Sequence, residues 1–407
     1  MKHDTSARCG TVPPHRIITP VFLILFALGL RAQTSTMAAV LDQVRANNKE
    51  LLASAQRLEA QHVQERTGLS LPDPTLEYDW MNGRPAATAG VQHDLTIAQV
   101  FEFPTAYAAR RTMAELKNDQ HDQENIAVRR DVLLDAQRTC ISLVHANKRA
   151  GLLQRRADFA SRFVAGLRIR FERGAATVLD LRRAEMMEAG IIADVRSAEM
   201  ERTALEQHLM ELNGGIGIVF ADTIYPPLDM LPSFEQVEAS MEAVDPDLLI
   251  LNAQAAVSAQ QERLYRATGL PQFEVGYRYQ GILGATYHGT HAGLVVPLWS
   301  NRNKVRQQKR WSEAYSLLTE EHRVKHFYEA RHLYDRAMEL QNITAAFVQR
   351  AQADDSELLL ERSFSAGQIS VLEYQMESLL IQQNRERALA LERDHRLAVA
   401  DVLSYLL

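Results

Sequence analysis

Two histidines four residues apart, in Glu321-His322-x-x-x-His326, share one face of a helical stretch, a spacing that can hold a divalent metal. The glutamate does not sit where a zinc hydrolase needs its base, and His332 lies too far along to complete a compact site. The pair therefore reads as surface groups on a long charged helix. His288-Gly-Thr-His291 falls in an expected hairpin loop, where two ligands make a poor cage. Arg129-Arg130, Arg155-Arg156 and Arg182-Arg183 lie among acids and read as solvated helix faces with ion pairs. Gly214-Gly-Ile-Gly217 lacks the Lys-Ser/Thr of a phosphate loop and ends a helix instead of opening one. Cys140 lies in a helical pattern and reads as a buried, inert thiol. No nucleophile, acid–base pair or metal centre stands out, so neither enzymatic activity nor a cofactor is expected.

What does recur is a ten-residue pattern. Phe171-Glu-Arg-Gly174-Ala-Ala-Thr-Val178-Leu179-Asp180 returns as Phe364-Ser-Ala-Gly367-Gln-Ile-Ser-Val371-Leu372-Glu373, 193 residues later. Pro72, Leu76, Tyr78 and Trp80 return as Pro271, Val275, Tyr277 and Tyr279 at an offset of 199. Phe103-Pro104 and Trp299-Ser300 each open a long charged stretch. The pairs keep their order, so the chain reads as two structural repeats, 33–220 and 235–407, joined by a linker at 221–234 that carries Pro226, Pro227 and Pro232.

The elements that position these residues follow from periodicity. Residues 38–67 are rich in helix formers and lack Pro or an interior Gly, which predicts one helix. Thr75 to Asn82 alternates, with Leu76, Tyr78 and Trp80 on one face and Glu77 and Asp79 on the other. Val91 to Phe103 resumes the alternation more loosely, giving a β-hairpin over 75–103. A second hairpin spans 272–299, with Phe273, Val275, Tyr277 and Tyr279 on one face and Leu294, Val296 and Leu298 on its return strand. From Pro104 to Arg173 the pattern is helical for about 100 Å at ~1.5 Å per residue. Gly174 interrupts it, and a helix from about Thr177 to Leu212 follows. The second half repeats this, with helices over about 301–365 and from Ser370 onward around Gly367. Helices this long need bundle partners. The two shorter helices of a half nearly equal its long one, so they can stack end to end along it. Gly174 and Gly367 are then the tips of helical hairpins, with Gly supplying the left-handed turn and Thr177 and Ser370 capping the next helix.

Composition limits the setting. Apolar residues make up 46% and charged residues 24%, which excludes disorder and a helical membrane protein. Ile17 to Leu30 is the one long apolar run, and at fourteen residues it is short for a spanning helix. Lys2, Arg8 and Arg16 precede it, which predicts a signal peptide over 1–32. Its removal takes four basic residues and one acid, moving the net charge from −6 to −9. Such an acidic exported chain is not a nucleic-acid binder. Cys9 precedes the apolar run, so no lipid-attachment cysteine follows it. Four alternating strands fit either a soluble sheet with one wet face or a share of a membrane barrel, which must close to satisfy its edges. Three chains would supply twelve strands.

These features resemble the TolC family of outer-membrane efflux proteins. The resemblance is carried by Leu71-Pro-Asp-Pro74 entering the first hairpin, Val296-Pro-Leu-Trp-Ser-Asn-Arg-Asn303 leaving the second, and the two tips. It covers essentially the whole mature chain, and Pro297-Leu-Trp-Ser-Asn-Arg-Asn303 is similar to the branch associated with heavy-metal efflux. The resemblance implies a mainly α fold with a small β part. Long antiparallel helical hairpins would form a trimeric α-barrel in the periplasm, and four strands per chain would enter a 12-stranded transmembrane β-barrel. It further implies a homotrimeric, passive exit duct for drugs or metal cations, working with a periplasmic adaptor (membrane fusion protein) and an inner-membrane efflux pump. Leu76, Tyr78, Trp80, Phe273, Val275, Tyr277 and Tyr279 would face outer-membrane lipid. Phe171, Gly174, Val178, Leu179, Asp180, Phe364, Gly367, Val371, Leu372 and Glu373 would meet the adaptor. Glu373, with Glu377 one turn on, would ring the pore constriction, and three copies of such carboxylates favour cations. Opening would untwist the inner helices about the tips. The competing readings are a periplasmic coiled-coil adaptor or scaffold without a membrane barrel, and an exported, monomeric binding protein.

Overall fold

The computed structural model describes residues 36–83, 90–228, 230–352 and 356–407. The expected signal segment lies outside them. Helix α1 (Met37–Asn47) and helix α2 (Lys49–Arg66) lead into strands β1 (Thr75–Asn82) and β2 (Val91–Phe101). Then come α3 (Pro104–Glu172) and α4 (Val178–Leu212). The same order follows in α5 (Phe234–Val244), α6 (Pro246–Ala267), β3 (Gln272–Ile282), β4 (Ala285–Val295), α7 (Lys304–Gln352), α8 (Ser356–Ser365) and α9 (Val371–Val402). Among the described residues no helix is long and apolar enough to cross a membrane.

The helix predicted over 38–67 is two helices. Asn48 is extended at φ −59° and ψ 126°, and its Oδ1 accepts from the Leu51 N–H at 2.9 Å, so it caps α2. Its Nδ2 donates to the Leu212 carbonyl at 2.8 Å, and Asn47 donates to Asn213 at 3.0 Å. The break between α1 and α2 is thus clamped to the end of α4. Asn213 is wholly buried and also donates to the Ile216 carbonyl at 2.8 Å. Gly214 turns the chain at φ +68°, where a Cβ would collide with the Asn47 carbonyl. The expected end-to-end stacking follows: α1, α2 and α4 all pack along α3. In the second half Asp245 takes the place of Asn48, capping α6 through the Asp247 N–H at 3.1 Å with Pro246 at the first helical position.

The long α3 ends at Glu172, one residue short of expectation. A core of Val40, Val44, Leu133, Leu143, Val144 and Leu209 lies between α1, α3 and α4. Val237, Ala337, Val399 and Val402 form its counterpart in the second half. Cys140 is fully buried, and burial, followed by the nearby Asp222 charge, pushes its thiol up to about 12. We expect no maleimide labelling of Cys140 at pH 8 in the folded protein and full labelling in denaturant, read by intact mass.

The two hairpins form one antiparallel sheet in the order β1-β2-β3-β4. Strand β2 pairs with β3 from Gln92 opposite Ile282 to Phe101 opposite Phe273. The return strand of the second hairpin stops at Val295, not at 299, since Pro297 has no N–H to give the ladder. Likewise α7 begins at Lys304, after Asn303 turns at φ +66°. Within the preceding segment Asn301 donates to the Tyr265 carbonyl at 2.8 Å and to Thr268 Oγ1 at 3.0 Å, tying the exit from the sheet to the end of α6.

Candidate functional site

Directly opposed residues in antiparallel strands point to the same face. Leu76, Tyr78 and Trp80 oppose Ile97, Leu95 and His93. Leu95 and Ile97 in turn oppose Tyr279 and Tyr277, and Phe273 and Val275 oppose Leu294 and Ala292. One face of the whole sheet is therefore apolar and aromatic. Leu76, Tyr78, Trp80, Phe273, Val275 and Tyr277 are all exposed, and Tyr279 is half-buried. The polar members of this face are Asn82, His93, Gln99, Thr286, His288 and Thr290, and His93 is stacked between Trp80 and Tyr279 at centroid distances of 5.9 and 6.1 Å. The other face carries Glu77, Asp79, Asp94, Thr96, Arg278 and Gln280. Asp94 is buried, with Arg278 Nη2 at 3.1 Å and Gln280 Nε2 at 3.3 Å. This is a sheet with a polar and an apolar side, and the outer edges of β1 and β4 have no strand partner among the described residues.

At the far end of the helices the two tips are built alike. In the first, the Gly174 N–H bonds the Phe171 carbonyl at 2.9 Å and the Ala175 N–H bonds the Arg170 carbonyl at 2.8 Å. In the second, Gly367 bonds Phe364 at 3.0 Å and Gln368 bonds Ser363 at 2.9 Å. Gly174 and Gly367 have φ of +72° and +70°. Both are Schellman turns, which is what the recurring Phe-x-x-Gly spacing encodes. Thr177 and Ser370 then cap α4 and α9 in full capping boxes.

The acids that close each motif belong to those boxes. Asp180 Oδ2 accepts from the Thr177 N–H at 3.1 Å and its hydroxyl at 2.6 Å. Glu373 Oε2 accepts from the Ser370 N–H at 2.7 Å. The Thr177 hydroxyl and N–H hold the Asp180 carboxyl below its usual range, and the Ser370 N–H and hydroxyl do the same for Glu373. A carboxyl depressed in the folded state stabilises fully above its unfolded pKa. That contribution is lost as pH falls through the lower folded value. The expected caps at Thr177 and Ser370 are borne out, while the reciprocal bonds of Asp180 and Glu373, encoded in the Thr-x-x-Asp and Ser-x-x-Glu spacing, went unread in the sequence.

The tips also expose apolar side chains beside Glu172, Arg173 and Gln368. Phe171, Val178, Leu179 and Leu372 are exposed, while Val371 packs against Val164, Leu167, Leu181 and Ala184. That contact joins α9 to the first tip. A ring cluster reinforces it: Tyr374 lies 5.0 Å from Phe163, 4.9 Å from Phe364 and 6.1 Å from Phe159. Tyr374 is buried, and Glu377 is exposed on the next turn.

The histidines of the sequence analysis are not where it placed them. His288 and His291 lie in strand β4, and His291 faces Glu274 at 3.4 Å; the turn is Leu283-Gly284. His322 and His326 do not face solvent on a charged helix. Both are largely buried and directed at Asp245, with His322 Nε2 2.6 Å and His326 Nε2 3.7 Å from Asp245 Oδ2. The signal missed was Asp245-Pro246, which marks a helix start with a buried acid beneath α7.

No protein-family model matches the sequence, and no curated protein matches it. Solved structures do. CusC, studied for the changes accompanying folding and transmembrane channel formation, is 15% identical over 98% of this chain and 99% of its own, with a TM-score of 0.76. The outer membrane protein VceC of Vibrio cholerae is 14% identical over 92% and 97%, with a TM-score of 0.74. A membrane protein of Pseudomonas aeruginosa is 15% identical over 91% and 92%, with a TM-score of 0.77. The chain has the fold of these proteins, and the expected mainly α architecture with four strands is borne out.

Proposed function

We propose that three copies of this chain form an outer-membrane exit duct of the TolC family, passive and without enzymatic activity. The observation that carries the proposal is the four-stranded sheet with one exposed apolar face, one polar face and two open edges. Alone in water it would expose an aromatic patch and two unsatisfied edges. Three such sheets closing into twelve strands satisfy both edges and put the apolar face in lipid. Leu76, Tyr78, Trp80, Phe273, Val275, Tyr277 and Tyr279 are then the lipid-facing residues. The long helices descend into the periplasm and present the exposed apolar tips to an adaptor coupled to an inner-membrane pump. A passive duct leaves the choice of drugs or metal cations mostly to that pump. The boundaries 33–220 and 235–407 remain our division of the chain into repeats, with a signal peptide before them.

Fractionation followed by sizing in detergent tests this. A trimer extracted from the outer membrane is the expected result. A soluble periplasmic monomer would overturn it in favour of a scaffold whose sheet is an ordinary one.

A further inference from the structure

We propose that Asp245, Asp247, His322 and His326 form a binding site for a divalent transition-metal ion at the junction of α5, α6 and α7. This site does not depend on the duct reading. One ligand atom each from Asp245, Asp247 and His322 lie within 4.8 Å of one another. His326 Nε2 approaches the same Asp245 oxygen at 3.7 Å, and the two rings are 6.0 Å apart, one helical turn on the same face. Two imidazoles and two carboxylates are a donor set suited to zinc, cobalt or nickel. Around a tetrahedral ion with bonds of about 2.1 Å, adjacent ligand atoms sit about 3.4 Å apart. The His326 spacing already fits, and the His322–Asp245 hydrogen bond opens by under about 1 Å as the metal replaces its proton.

The fold does not require this set. The equivalent junction in the first half is capped by Asn48, which carries no charge and meets no histidine among the described residues. Capping through the Asp247 N–H uses Asp245 Oδ1 and leaves Oδ2 to the histidines. Asp245 is buried, yet its ion-pair partners among the described residues are these two histidines alone, with no lysine or arginine. Two carboxylates and two imidazoles form a site that a dication neutralises. Asp247 is exposed, so the site is open to solvent on one side.

The test is titration of the untagged full chain with Co2+, followed by absorption, and with Zn2+, followed by calorimetry. The variants are Asp245→Asn, which keeps a capping side chain as Asn48 does, and the double variant His322→Gln/His326→Gln. The expected result is one site per chain with the d–d absorption of four- or five-coordinate cobalt. Each variant should weaken binding at least tenfold while the melting temperature of the metal-free protein stays within a few degrees. Zinc should raise the wild-type melting temperature and leave the double variant unmoved. Equal binding in wild type and double variant would assign any affinity to other histidines, such as His288 and His291, and overturn the site. An absorption of six-coordinate aquo cobalt only would overturn it as well.

Discussion

Tyr277→Arg is expected to remove nearly all of the protein from the outer-membrane fraction. Tyr277 is central in β3, opposed by Ile97 and Thr290, on the face shared with Leu76, Tyr78 and Val275. If that face meets lipid, an arginine near the bilayer midplane costs roughly 2–4 kcal/mol per chain. Three symmetry copies would bring this to about 6–12 kcal/mol per trimer, comparable with the whole stability margin of an ordinary domain at 5–15 kcal/mol. The control is Gln280→Arg. It lies on the opposite face, directly across from Asp94, which already accepts Arg278 and Gln280. A cation there replaces one donor to the Asp94 carboxylate with another, so trimer yield should stay within about twofold. Both are read as trimer recovered from outer membranes on unheated gels. Wild-type recovery of Tyr277→Arg would place the aromatic face in water, and the duct proposal would fall with it.

Local pattern carried the strands and helices of this fold, while contacts distant in sequence stayed hidden. The alternation of Leu76, Tyr78 and Trp80 fixes a strand and its apolar side because successive side chains point to opposite faces. Nothing local says that Phe101 will lie opposite Phe273, so the joining of β2 to β3 into one sheet was not legible. The break at Asn48 was invisible for a related reason. Asparagine is tolerated inside helices at modest cost, and the partners that clamp the break, Leu212 for Asn48 and Asn213 for Asn47, come 164 and 166 residues later. The tips were legible as turns, since Gly174 and Gly367 announce a left-handed residue. The part their acids play in the capping boxes is equally local, carried by the Thr-x-x-Asp and Ser-x-x-Glu spacing. His322 and His326 show the same limit: a helical spacing places them on one face, and only the fold reveals that this face covers Asp245.

If three chains form the proposed duct, Tyr374→Ala is expected to raise its conductance without preventing its assembly. The tyrosine is buried among Phe159 and Phe163 of α3 and Phe364 of α8, and Val371 one turn back completes the seam. These contacts hold the start of α9 against the first helical hairpin, close to both Gly tips. Removing a buried aromatic ring typically costs about 3–5 kcal/mol. The loss is local, because the cores around Leu143 and Val402 lie in other clusters and do not include the ring. If separation of the two hairpins at the tips opens the periplasmic mouth, that lost packing belongs to the closed state alone. About 3 kcal/mol would then shift the closed-to-open ratio by roughly 100-fold, since each 1.4 kcal/mol is a factor of ten. Tyr374→Phe keeps the ring and its packing and should raise conductance far less than the alanine variant. Planar-bilayer recordings of purified trimers supply the readout, with the melting temperature measured alongside. A lowered melting temperature with unchanged conductance would make the ring cluster packing alone and move the closure elsewhere. Raised conductance in the alanine variant but not the phenylalanine one would assign the closed state to this aromatic seam, leaving the capping carboxylates of Asp180 and Glu373 to set where each helix begins.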